Sequence, residues 1–190
     1  MALSLAAIEA LFVRRGGEQY SGEAVTQLQH ALQTASLAED HGADDELVTA
    51  CLLHDLGHLL HELGDTPTLR GVDDAHQHAA LPGLRGLFGP RVLGAIGLHV
   101  DAKRYLCASV PGYEAALSAD SQRSLQLQGG VFTSAQGLAF LARPGAGDAV
   151  KLRQWDDLAK RGGAQTPPLA HFLAIAGRCS RTPGSALPGH

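Results

Sequence analysis

The sequence predicts an all-α fold. Apolar residues recur at helical spacing nearly throughout, no stretch sustains the alternation of a half-buried strand, and the interruptions fall at Gly and Pro clusters. With 190 residues, 45% of them hydrophobic and 18% charged, the chain can bury one real core. Residues 1–180 are read as a single helical-bundle domain, and the Pro/Gly/Ser-rich residues 181–190 as a loose tail.

The first helix is expected over residues 3–15 and ends at Gly16-Gly17. Ser21 can cap a second, with Glu23 and Glu39 on it, ending near Gly42. A third starts at Ala43-Asp44-Asp45 and runs to about Leu63, where Gly64-Asp65-Thr66-Pro67 breaks it. A fourth begins near Asp73-Asp74 and is interrupted at Pro82-Gly83, and Gly89-Pro90 opens a fifth over residues 91–103. Shorter helices are expected over 121–128, 134–141, 147–160 and 168–178.

Net charge is -4 with histidines neutral, and only three lysines occur, so neither nucleic acid nor an anionic membrane surface is expected as a partner. The N-terminus is apolar and then basic, the reverse of a signal peptide. No apolar run reaches the ~18 residues of a membrane span. Cys51, Cys107 and Cys179 are far apart and form no C-x-x-C, which argues against a disulfide framework or zinc ribbon and suits a cytoplasmic protein.

The third helix carries the strongest chemical signal. Its run His54-Asp55-Leu56-Gly57-His58 lies within core-like apolar sequence. Burying a carboxylate costs several kcal/mol unless it is paired or bound to metal. On a regular helix His54 and His58 share a face, and Asp55, about 100° round, can still reach the same ion or its neighbour. A lone histidine on an apolar face is more often a satisfied core side chain than a ligand. Adjacent His and Asp inside a Leu-rich helix tip the balance toward metal. Further candidates are His30, with Glu23 two turns before it, His76 and His78, His99 with Lys103 one turn later, and Asp156 with Arg153 before it. His41 and His61 read as solvated helix ends, and His171 and His190 have no clear companions.

His30, then His54-Asp55, then Asp156 resembles the H…HD…D signature of the HD-domain superfamily. The finer resemblance is to its mixed-valence di-iron oxygenases, the 2-amino-1-hydroxyethylphosphonate dioxygenases and their trimethylammonio-analogue relatives. It runs through the segments 20–33, 54–58, 71–76, 99–106, 124–130 and 152–157. It implies an HD-domain bundle with two iron ions as an Fe2+/Fe3+ pair, one held by His30, His54, Asp55 and Asp156, the other by Asp55, His76 and His99. It further implies that Lys103, Ser121, Ser124, Gln128 and Arg153 grip a phosphonate and that His58 hydrogen-bonds the substrate. Tyr20 and Glu23 would form a lid, with Tyr20 on the second iron until substrate displaces it. Asp55, His58 and Lys103 are thus the expected catalytic residues.

The chain departs from the family in places. The family has His-Glu after the Asp-Asp, whereas here the run is Ala75-His76-Gln77-His78, which makes His78 a rival to His76. The spacing from His58 favours His76. Leu81-Pro82-Gly83 breaks a stretch the family continues as helix, and Gln29 stands where Glu is common.

A nitrogen/oxygen donor set without thiolates suits iron, manganese or zinc. Few carboxylates leave such a cluster positive, which attracts a dianion, and Lys103 and Arg153 add cationic donors. Ser121, Ser124 and Gln128 recur at offsets of three and four, one helix face. The reaction the resemblance implies is O2-dependent C–P cleavage of a small 1-hydroxy-2-aminoalkylphosphonate, giving phosphate and an amino acid, glycine or a betaine. Two alternatives compete. A metal-dependent HD phosphohydrolase acting on a nucleotide or small phosphate ester explains the ligands but not Tyr20, Glu23 or the Ser-x-x-Ser-x-x-x-Gln face. A non-catalytic HD binding module does not explain a full set of six ligands. Neither the amine substituent nor the oligomeric state is legible.

Overall fold

The computed structural model describes residues 3–20, 22–61 and 67–181, and these residues are helical, with one isolated antiparallel bridge between Gln19 and Thr26. The tail expected over 181–190 falls, apart from Arg181, outside the described residues, as do Ser21 and Leu63.

The first helix, α1 (Leu5–Arg15), starts where the Ser4 hydroxyl accepts from the Ala7 amide. The second, α2 (Gln27–Asp40), begins later than expected. Thr26 and Gln29 form a reciprocal capping box, and the glycine at Gly22 takes φ +74 in the turn before it. Tyr20 and Glu23 therefore stand on a turn ahead of α2, not on the helical face that carries His30.

The third helix, α3 (Asp45–Leu53), is capped by the Asp44 side chain and stops at His54 instead of continuing to Leu63. Asp55 turns out of helical geometry (φ -101, ψ 11), and a 3₁₀ turn covers Leu56–Leu60. The regular helix assumed for the His54–His58 run is thus corrected to a helix end, a bend and a tighter turn.

The region after it is more broken than the apolar spacing suggests. A 3₁₀ turn at Pro67–Arg70 precedes α4 (His76–Ala79), and α5 (Leu81–Leu84) begins with Pro82 in its first turn, where a missing N–H costs nothing. The long α6 (Pro90–Ser109) extends well past Lys103. Then come α7 (Tyr113–Ala116), α8 (Ala119–Leu127, capped by Ser118), α9 (Ser134–Leu141, capped by Thr133), α10 (Ala146–Leu158) and α11 (Leu169–Cys179).

Helix α3 is the hub: α2, α6, α10 and α11 all pack on it. Every residue from Leu47 to Leu53 is buried, and together with Ile8, Phe88, Ile96, Leu152 and Phe172 they form the main core. A smaller cluster of Leu98, Ala102, Phe140, Ala146 and Ala149 joins α6, α9 and α10. The ends of α2, α3 and α10 and the middle of α6 thereby converge on one point. No described helix is long and apolar enough to cross a membrane, and all three cysteines are free.

Two backbone features bring α4 to that point. Ala75 adopts a left-handed conformation (φ 48), which reverses the chain into His76. Gly57 faces the His76 backbone so closely that a Cβ there would lie 2.1 Å from the His76 carbonyl oxygen. Gly57→Ala is expected to force these segments apart, at about 1–3 kcal/mol or more, typical of overpacking. A lowered melting temperature and loss of metal from the His76 side of the centre check this.

Candidate metal centre

Four histidines from four elements point inward with their outer ring nitrogens already committed. His30 Nδ1 lies 2.9 Å from the Ala159 carbonyl oxygen, His54 Nδ1 2.9 Å from that of Cys51, and His99 Nδ1 2.7 Å from that of Ile96. His76 Nδ1 lies 2.8 Å from Asp74 Oδ1. Carbonyls and carboxylates only accept, so each Nδ1 carries the hydrogen, and in the neutral ring each Nε2 presents a lone pair.

Those lone pairs face one another in two couples, His30 with His54 at 3.2 Å and His76 with His99 at 3.1 Å. Two such lone pairs in van der Waals contact repel unless a cation or proton lies between them.

Asp55 stands between the couples. Its Oδ2 is 3.5 Å from His30 Nε2 and 3.3 Å from His54 Nε2, and its Oδ1 is 3.3 Å from His76 Nε2 and 3.6 Å from His99 Nε2. Asp156 closes the first couple, with Oδ1 at 3.3 Å from His30 Nε2. Both Asp55 oxygens and Asp156 Oδ1 are buried yet accept no aligned hydrogen bond. Buried polar atoms are seldom left so, and buried carboxylates least of all.

The donors thus fit two cations: His30, His54 and Asp156 could hold one, and Asp55, His76 and His99 the other. His58, Asp74 and His76 lie within reach of a single ion as well, but His76 Nδ1 and His58 Nδ1 are both spent on Asp74. His78 is exposed and belongs to none of these groups, whereas His76 is buried among them.

The charges follow from the same contacts. Burial opposes ionisation of Asp55, but His54 and His58 outweigh it and hold the carboxyl well below its usual range. For Asp156, Arg153 and His30 do likewise. Burial works against a charged His54 too, yet Asp55 and Asp156 raise it to about 9. Burial, with His76 and His54, pushes His99 well down, and burial with His58 lowers His76.

Asp74 was not singled out in the sequence, where it appeared only in a helix start. It receives His58 Nδ1 at 2.7 Å, His61 Nε2 at 3.1 Å and His76 Nδ1 at 2.8 Å, and these bonds hold it ionised against burial. His61 is therefore tied to the site's outer layer, not a solvated helix end. His171 also has a companion, Glu39 at 2.9 Å.

The cavity beside the metal donors is lined by Tyr20, His58, Lys103, Ser121, Ser124, Gln128 and Arg153, all expected from the sequence. Lys103 is 2% exposed and donates to Ser124 Oγ at 2.7 Å. Burial, reinforced by Arg153, lowers it to about 7. The fork of Arg153 is not free: Nη1 meets Asp156 Oδ2 at 3.0 Å, and Nε and Nη2 bond Asp157, to which Tyr113 also donates. Tyr20 stacks on His30 with ring centres 3.9 Å apart and is held protonated by burial and Asp55. Glu23 pairs with Lys160 and is not among the lining residues.

Two outcomes test this geometry. Asp55→Ala should lose both ions from a protein that otherwise binds two per chain, whereas His78→Ala should retain both, as read by elemental analysis after dialysis. Metal must displace the proton that His54 carries below about pH 9. Affinity at the His30/His54/Asp156 group should therefore climb with pH, by about tenfold per unit for one proton, and level off above 9. Calorimetric titration across that range reads the slope.

Residues 28–182 match the family model described as HD domain. The chain is 43% identical over 164 residues to the hydroxymethylphosphonate dioxygenase of Gimesia maris (strain ATCC 29201 / DSM 8797 / 534-30), covering 86% of this chain and 82% of that one. It is 37% identical over 171 residues to the [1-hydroxy-2-(trimethylamino)ethyl]phosphonate dioxygenase (glycine-betaine-forming) of Leisingera caerulea, covering 90% and 87%. The chain belongs to the HD-domain family, on the branch that includes these phosphonate dioxygenases.

Proposed function

We propose that this protein is a di-iron oxygenase that cleaves the C–P bond of a small 1-hydroxyalkylphosphonate. The observation that carries the reading is the Asp55 carboxylate, one oxygen turned to the His30/His54 couple and the other to the His76/His99 couple, beside a cavity into which Lys103, Ser121, Ser124, Gln128 and Arg153 bring hydrogen-bond donors. His30, His54, Asp55 and Asp156 would hold one iron, and Asp55, His76 and His99 the other. Bound as an Fe2+/Fe3+ pair, they supply the site and the redox chemistry for dioxygen and the 1-hydroxyl.

The overall change balances as R–CH(OH)–PO3²⁻ plus O2 giving R–COO⁻, HPO4²⁻ and a proton. Carbon gives up four electrons and dioxygen takes them, with one oxygen atom ending in each product. Glycine is the product for a 2-amino substrate, glycine betaine for its trimethylammonio analogue and formate for hydroxymethylphosphonate.

The side chains divide the work. Two carboxylates against two divalent or trivalent ions leave the centre positive, so a phosphonate dianion is drawn to it. Lys103 and Ser124 offer donors already bonded to each other, and Ser121 and the Gln128 amide add to that wall. Arg153 contributes charge while its fork steadies Asp156. His58 faces the cavity, and burial is outweighed by Asp55 and Asp74, which raise its pKa, so it can donate a hydrogen bond to the substrate. Tyr20 stacks on His30 of the first couple.

Oxygen uptake with 1-hydroxyphosphonates, matched by phosphate release, tests the proposal. Lys103→Met is expected to keep both metals and raise KM by about tenfold or more, the value of a charge-assisted bond. In the parent enzyme KM should also rise as pH passes upward through about 7, where Lys103 loses its proton, and Lys103→Met should lack that limb. Steady phosphatase turnover with no iron-dependent oxygen uptake would contradict the oxygenase reading in favour of a hydrolase.

A further inference from the structure

Lys160 follows α10 by two residues and belongs to no motif, yet it sits where the lid turn meets the start of α8. Its Nζ is 3.5 Å from Glu23 Oε1, 3.4 Å from the hydroxyl oxygens of Ser118 and Ser121, and 5.8 Å from the centre of the Tyr20 ring. The pair is shielded, with the Lys160 side chain 13% exposed and that of Glu23 20%. Ser121 and Tyr20 both line the cavity, so this ammonium is one side chain removed from bound ligand.

A substrate with an ammonium beyond the phosphonate needs a carboxylate acceptor or an aromatic cage. Glu23 is the lid carboxylate, and Lys160 already neutralises it. Asp74 is filled by three histidines, and Asp120 by Thr68 and Arg123. Asp73 is exposed and water-screened.

The tyrosines are spoken for as well. One face of Tyr20 lies on His30, Tyr105 packs against Phe140 in the smaller core, and Tyr113 donates to Asp157. The cavity itself is small, about 50 Å³, room for only a few water-sized groups.

We propose that Lys160 is a specificity-determining residue that, by occupying Glu23 and so withdrawing a carboxylate with which an ammonium could pair, selects 1-hydroxyalkylphosphonates without a cationic substituent, hydroxymethylphosphonate being the simplest. The choice of ligand rests on the phosphonate reading above; the Lys160–Glu23 pairing does not.

Anaerobic calorimetry on the iron-loaded protein tests it by binding alone. Hydroxymethylphosphonate should bind at least about tenfold more tightly than 2-amino-1-hydroxyethylphosphonate, as an ammonium desolvated without a free acceptor requires. Lys160→Met should shrink that ratio by about tenfold, Lys160→Arg should preserve it, and adding Glu23→Gln to Lys160→Met should restore part of it. Equal or tighter binding of the aminated ligand by the parent protein, or an unchanged ratio in Lys160→Met, overturns the proposal. If neither phosphonate binds, the phosphonate reading fails, and the pairing is judged on the same proteins with ethyl phosphate against 2-aminoethyl phosphate. The same preference and its loss in Lys160→Met then support Lys160 as the determinant, and their absence overturns it.

Discussion

The structure depends on one carboxylate placed between two couples of imidazole nitrogens. Asp55 brings a negative charge into a region where burial disfavours it by several kcal/mol, and it accepts no aligned hydrogen bond there. Four Nε2 atoms surround it, and four outer hydrogen bonds prevent the rings from turning away. Such an arrangement favours cations, or protons, between the facing nitrogens. Folding of the core and binding of metal are therefore linked, because the same helix that anchors the core, α3, ends in the His54-Asp55 pair.

Much of the remaining architecture serves that placement. The chain bends at Asp55, whose carboxylate faces both couples. The left-handed Ala75 and the contact between Gly57 and the His76 backbone bring a one-turn helix up to the site. Asp74 ties His58, His61 and His76 into one outer layer. Arg153 braces Asp156 from behind, held in turn by Asp157 and Tyr113. A cationic wall of Lys103 and its serines adjoins the centre, so the metal donors and the anion donors face a common space.

The residues that converge on the candidate centre were legible because a polar triplet inside a Leu-rich run has few bland explanations, and because α6 and α10 are long enough for His99, Lys103, Arg153 and Asp156 to keep helical phase. Residues whose role depends on contacts across the chain were not. Asp74 reads as an ordinary helix start until three histidines converge on it, and Lys160 belongs to no motif, although Glu23 and Ser121 meet it in the fold. Helix limits failed where a local bond outcompeted periodicity: the Thr26–Gln29 capping box delayed α2, and the side chain of His54, reaching the Cys51 carbonyl, accompanied the end of α3. His76 and His78 are distinguished by burial, since two positions along a four-residue helix point to different sides.

The central claim is that Asp55 joins two metal ions into a single centre. Electron paramagnetic resonance on the iron-loaded, partly oxidised protein tests it directly. The account predicts a coupled spin-one-half signal from a mixed-valence pair, shifted when a 1-hydroxyphosphonate binds. Two irons per chain giving only the spectrum of isolated high-spin Fe(III), with no coupled signal at any stage of oxidation, would contradict it.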